Sequence, residues 1–172
     1  MNDGLTYGNY PYGTRIQDEQ ISLNVPDVIR IFGIFESIDN NDPSAPKMTL
    51  NSINSPTSKT SDLVVGEKII GRTSGAIGLI AERLNDSQKS FIAISSSNFL
   101  EGEVIKCQES NVEAIITSLS STSLDISPKF TFSSGQNGYF YDVGILSRKS
   151  KESAPLRKIK VYFLNGYYDS SD

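Results

Sequence analysis

The sequence contains no histidine, no tryptophan and a single cysteine, Cys107. Without histidine, Ser-His-Asp and Cys-His nucleophile systems cannot form, and neither can His-ligated zinc or iron sites. One cysteine cannot close an internal disulfide or supply a multi-cysteine metal centre. Cys107 follows Ile105 and Lys106 in a strand-like run, so it reads as a small apolar filler rather than a reactive thiol. The missing tryptophan removes the strongest sugar-stacking and interface-anchoring side chain, leaving eight tyrosines. No run approaches a membrane span, and MNDGLTYGNYPYG lacks the basic start and apolar stretch of a secretory signal. Synthesis in the cytosol and no membrane association are expected.

What remains is an ordinary soluble composition. In 172 residues, 37% are hydrophobic and 21% charged, enough for one full core or two small ones. The net charge of -4 argues against a duplex nucleic-acid binder, which would carry a basic excess.

Apolar residues recur with strand rather than helix spacing. Short runs rich in Ile, Val, Phe and Tyr fall at residues 22–25, 28–35, 63–70, 77–81, 91–94, 103–107 and 113–118. Further runs follow at 129–132, 139–147 and 158–163, with Gly, Asn, Asp, Ser and Pro between them. The pattern predicts an all-β chain, as a small barrel or sandwich. Residues 39–62 differ: they are rich in Ser, Thr, Asn, Asp and Pro, and read as a long loop or linker.

A near-repeat stands out. Leu63-Val64-Val65-Gly66-Glu67-Lys68-Ile69 matches Phe99-Leu100-Glu101-Gly102-Glu103-Val104-Ile105 at an offset of 36 residues. Ser74 then matches Ser110, Leu79 matches Ile115 and Ile80 matches Ile116. Each copy reads as a Gly-Glu turn, a strand, a second turn and an apolar strand. Gly66 and Gly102 are expected at positive φ, with Glu67 and Glu103 opening their strands on the solvent face. One such hairpin cannot bury its apolar face alone, whereas two can close over each other. The expected organisation is therefore a pseudo-duplicated β module at 62–120, inserted by a 51–61 linker into a flanking β domain made of 1–50 and 121–172.

No catalytic, cofactor-binding or metal-binding residues are expected. Gly71-Arg72-Thr73-Ser74-Gly75-Ala76-Ile77-Gly78 lacks the Gly-Lys ending and following helix of a phosphate loop, and reads as a tight strand connection. Asp39-Asn40-Asn41-Asp42 lacks the glycine and closing glutamate of a calcium loop. Glu101 and Glu103, two residues apart, read as a solvated strand edge rather than a glycosidase pair. The basic cluster of Arg148, Lys149, Lys151, Arg157, Lys158 and Lys160 reads as a solvated hairpin or a salt-bridging surface. Tyr7, Tyr10, Tyr12, Tyr139, Phe140, Tyr141, Tyr167 and Tyr168 form either a packed seam or a subunit interface.

Three stretches carry a resemblance: residues 22–37, then Val65-Gly66-Glu67-Lys68-Ile69-Ile70-Gly71-Arg72-Thr73-Ser74-Gly75-Ala76, then 132–163. Together they resemble large β-rich virion structural proteins of the tail and baseplate of contractile-tailed phages, especially those of marine cyanobacteria. The resemblance implies a non-enzymatic virion component, made and assembled in the host cytoplasm. It would bind other virion proteins, with self-association a further route, and would use no nucleic acid or small-molecule cofactor. It also implies that the chain is a segment of a longer protein. A carbohydrate- or receptor-binding module of a tail fibre is the alternative.

Overall fold

The computed structural model describes residues 15–84, 89–137 and 140–166. Fourteen strands form among these residues: β1 Gln20–Pro26, β2 Val28–Ser37, β3 Lys47–Asn54, β4 Lys68–Gly71, β5 Ile77–Arg83, β6 Lys89–Ser95 and β7 Val104–Cys107. After them come β8 Glu113–Ser120, β9 Ser123–Asp125, β10 Phe130–Ser133, β11 Gln136–Asn137, β12 Phe140–Tyr141, β13 Val143–Arg148 and β14 Ile159–Asn165. The only helical pieces among the described residues are single 3-10 turns at Thr60–Asp62 and Ser127–Lys129. The all-β expectation therefore holds.

The described residues fall into two compact units. One takes those up to Arg30 with Pro128–Leu156 and the residues from Asn165, and the other takes Ile31–Ser127 with Arg157–Leu164. In the first unit, β13 lies between β1 and β10, with Ile21 opposite Leu146 and Phe132 opposite Leu146 on its other side. Gly144 passes close to Val28, where a Cβ would meet the valine methyl at 2.8 Å.

The second unit is built on a closed barrel in the order β3-β6-β5-β4-β7-β8. Alternation explains it: in β4, β7 and β8 every second residue turns inward, and Ile69, Ile80, Ile105, Cys107, Ala114 and Ile116 fill the interior. Closing the ladder leaves no barrel strand with an unpaired edge. A smaller apolar cluster of Phe32, Phe35, Ala45, Ala81 and Tyr162 packs on the outer side of β5, with Leu79 against it. The Phe35 and Tyr162 rings meet edge to face at 5.8 Å.

The expected loop at 39–62 is corrected in part. It contains the barrel strand β3, so residues 51–54 of the expected 51–61 linker are strand. Met48, Leu50 and Ile53 face inward, a spacing broken by Ser52 at φ 52° and a shift of register between Asn51 and Asn54. That bulge hides the period of two from a reading of the sequence. The rest of the stretch is ordered by polar side chains. The Asp62 carboxylate accepts bonds from Thr57 N at 3.0 Å and Thr57 Oγ1 at 2.6 Å, and Thr60 Oγ1 donates to Leu84 O at 2.9 Å.

Candidate functional site

The two halves of the barrel are related by a two-fold exchange that follows from the 36-residue repeat. β4 and β7 pair antiparallel with Ile69 opposite Cys107, Ile70 opposite Lys106 and Gly71 opposite Ile105. The pseudo-axis passes through the Ile70–Lys106 pair, since these two positions are themselves one repeat apart. Hydrogen bonds recur in kind: Gly66 N to Ile80 O at 2.6 Å matches Gly102 N to Ile116 O at 2.7 Å. Arg72 N to Val104 O at 2.9 Å matches Gln108 N to Lys68 O at 3.0 Å, each crossing to the other copy. Both expected turn glycines sit at positive φ, Gly66 at 88° and Gly102 at 85°.

Glu67 and Glu103 correct the solvent-face expectation. Their relative exposures are 0% and 4%, and each reaches into the second turn of the opposite copy. Glu67 accepts bonds from Val64 N at 2.7 Å, Glu109 N at 3.2 Å, Ser110 N at 3.0 Å and Ser110 Oγ at 3.0 Å. Glu103 accepts the equivalent four, from Leu100 N at 2.6 Å, Thr73 N at 3.1 Å, Ser74 N at 3.0 Å and Ser74 Oγ at 2.9 Å. A turn residue at that position points wherever donors converge, and here four converge on each carboxylate. Burying a charge is costly unless its lone pairs are filled, and these are filled by dipoles alone. Burial pushes the Glu103 carboxyl up, but the amides of Leu100, Ser74 and Thr73 and the Ser74 hydroxyl outweigh it and hold it below the ordinary range. Chemically these are clamps between turns: moving or protonating either carboxylate would strand buried donors. The one sequence signal for them is that Glu and Ser recur together in both copies.

Glu101 is exposed and accepts Leu119 N at 3.0 Å, so the solvated edge expected of Glu101 and Glu103 holds for Glu101 and is corrected for the buried Glu103. Cys107 is fully buried beside the Glu67 clamp, and burial first, then the Glu67 charge, push its thiol up to about 12. It is a protonated filler at neutral pH. Its repeat mate, Gly71, has no room for a side chain, since a Cβ there would lie 2.6 Å from Glu103 Oε2.

The remaining sequence candidates separate. Asp39 accepts Asn41 N at 2.8 Å and Ser37 Oγ at 3.0 Å, while Asp42 pairs with Lys158 at 2.8 Å. The Asn41 amide, its side chain and Ser37 hold the Asp39 carboxyl below its ordinary value, and Lys158 does the same for Asp42. Gly71 to Gly78 forms a turn closed by Gly71 N to Ala76 O at 2.9 Å, with Gly75 at φ 68°. From the basic cluster, Arg148 donates to Gln17 O at 3.1 Å and Lys149 to Pro128 O at 2.6 Å. Lys160 reaches Glu82 at 3.7 Å and lies 4.9 Å from the Tyr162 ring centre. Tyr7, Tyr10, Tyr12, Tyr139, Tyr167 and Tyr168 lie outside the described residues. Among the described residues, no group of three or more Cys, Asp or Glu is placed to hold a metal ion.

Two surface features of the barrel unit stand out. A cleft of about 470 Å³ has Met48, Phe99 and Leu119 in its wall and Ser97, Asn98 and Ser121 beside them. Aliphatic side chains are also exposed: Val64, Ile77, Leu100 and Ile115 each keep at least a third of their surface in solvent. Compared with protein families, curated proteins and solved structures, the chain finds no match.

Proposed function

We propose that this chain is a structural component of a phage virion, in the tail or baseplate region, acting through subunit contacts and without catalysis. The observation that carries this reading is the division of labour in the barrel. Its two buried carboxylates are saturated by donors from its own turns, while aliphatic side chains stand outward. Groups suited to acid–base work are thereby committed to closure, and what faces solvent suits packing against another protein. The resemblance of residues 22–37, 65–76 and 132–163 to tail and baseplate proteins supplies the particle. In a lysate of a phage encoding this chain, it should co-sediment with intact particles at a fixed copy number and stay bound through salt washes. Recovery only in the soluble fraction would refute the proposal.

The cleft beside Phe99 favours a second reading, a receptor-binding module of a tail fibre. It is uncharged and offers the hydroxyl and amide groups of Ser97, Asn98 and Ser121 over an apolar floor. A glycan array showing saturable binding that Asn98→Ala abolishes would select it over the first.

A further inference from the structure

The repeat provides an internal control for the barrel surface, because each outward position occurs twice in one fold. On the face formed by β5, β4, β7 and β8, one row of directly paired residues reads Ile77, Ile70, Lys106, Glu113. Residues opposite one another in a ladder share a face, so these four side chains stand in line. Ile70 and Lys106 are repeat mates, and so are Ile77 and Glu113. The fold therefore accepts a charge at these positions, yet the first copy carries isoleucines, with Ile77 38% exposed. The next row places Val104 opposite Ile115, the latter 36% exposed. Lys68, opposite Leu79, and Lys106 flank Ile70, and neither has a carboxylate partner among the described residues. The acid on this row, Glu113, is paired with Arg72.

Deepening the proposed subunit contacts, and resting on that reading for its setting, we infer that this face docks an acidic protein surface bearing aliphatic side chains. Two lysines without a carboxylate partner among the described residues, around isoleucines in a chain of net charge -4, form a locally basic apolar patch. A second copy docked with its two-fold axis along this row would set Lys106 against its own counterpart, and the two lysines are better matched by a different, acidic surface. The asymmetry of the row also fixes direction: a partner placing carboxylates toward Lys68 and Lys106 and aliphatics toward Ile77 fits one way round.

A blocked peptide of alternating glutamate and isoleucine is the probe, with the lysine–isoleucine peptide as its counterpart. Titrated into the isotopically labelled full chain, the acidic peptide should move backbone amide resonances of β4, β5 and β7, and less so as salt rises. The lysine peptide should bind at least about tenfold more weakly. Ile77→Glu installs what the second copy already carries at Glu113, so the fold persists, and it should weaken binding of the acidic peptide roughly tenfold. Equal binding of both peptides, shifts centred elsewhere, or self-association abolished by Ile77→Glu would overturn the inference. The titration needs no particle, so a chain that binds the acidic peptide but is missing from virions refutes only the proposed function.

Discussion

Inside the barrel the two copies of the repeat agree: Ile69, Ile80 and Glu67 are matched by Ile105, Ile116 and Glu103, all buried. At three outer positions they part, Val65, Ile70 and Ile77 of the first copy being matched by Glu101, Lys106 and Glu113 in the second. Interior positions are constrained by close packing and by the need to satisfy every buried donor, so both copies meet the same demands. Exterior positions answer to whatever lies beyond the chain, and they differ. Gly71 and Cys107 are an interior exception, one cradle holding a bare backbone and the other a thiol.

The comparison breaks hardest at the clamps. Glu67→Gln or Glu103→Gln turns an acceptor into a donor facing donors, and each should cost about 2–4 kcal/mol in denaturant unfolding. If one is near zero while the other is large, the exchange is not two-fold in energy. Because the Glu103 carboxyl is held below its unfolded value, its contribution is complete above that unfolded value. It is lost as pH falls from there through the folded one. Unfolding midpoints measured through the acid range should fall less steeply in Glu103→Gln than in the parent.

Gly71→Ala should cost roughly 1–3 kcal/mol, because its methyl would press on Glu103 Oε2 and Ser74 Oγ. Alanine in place of Cys107 should be milder, since that cradle already accommodates a Cβ. Thermal unfolding of the two variants side by side measures how far the cradles differ.

Gly66→Val and Gly102→Val place a β-branched residue at φ 88° and 85°, and each should lose on the order of 1–2 kcal/mol. Equal losses would show that the two turns are mechanically equivalent. The smallest effect belongs to the second turns, where Gly75 at φ 68° is matched by Asn111 at φ 56°. Asparagine tolerates this region, so Gly75→Asn and Asn111→Gly should each change stability by less than about 1 kcal/mol. A larger change at Gly75 would mark a constraint that its mate lacks.

Much of this was legible before any coordinates. The period-two runs specified strands, Gly66 and Gly102 specified turns at positive φ, and the 36-residue offset specified two equivalent units. The place of Cys107 in a strand-like run specified a buried filler. These are local properties, set by backbone sterics and by which side of a strand is apolar.

Other features depended on where distant segments meet. Glu67 and Glu103 have the polarity of surface residues, and only the antiparallel β4–β7 pairing brings the donors of the opposite turn onto them. β3 was hidden because the bulge at Ser52 breaks its alternation, and its inward residues are recognisable only once β6 and β8 bracket it. The order of residues 55–62 came likewise from the Asp62 carboxylate and the Thr60 hydroxyl finding partners, not from apolar burial. Strands and turns were therefore written in residue type and spacing. The direction in which a buried charge points was decided by tertiary closure, because its low energy exists only when all four donors are assembled around it.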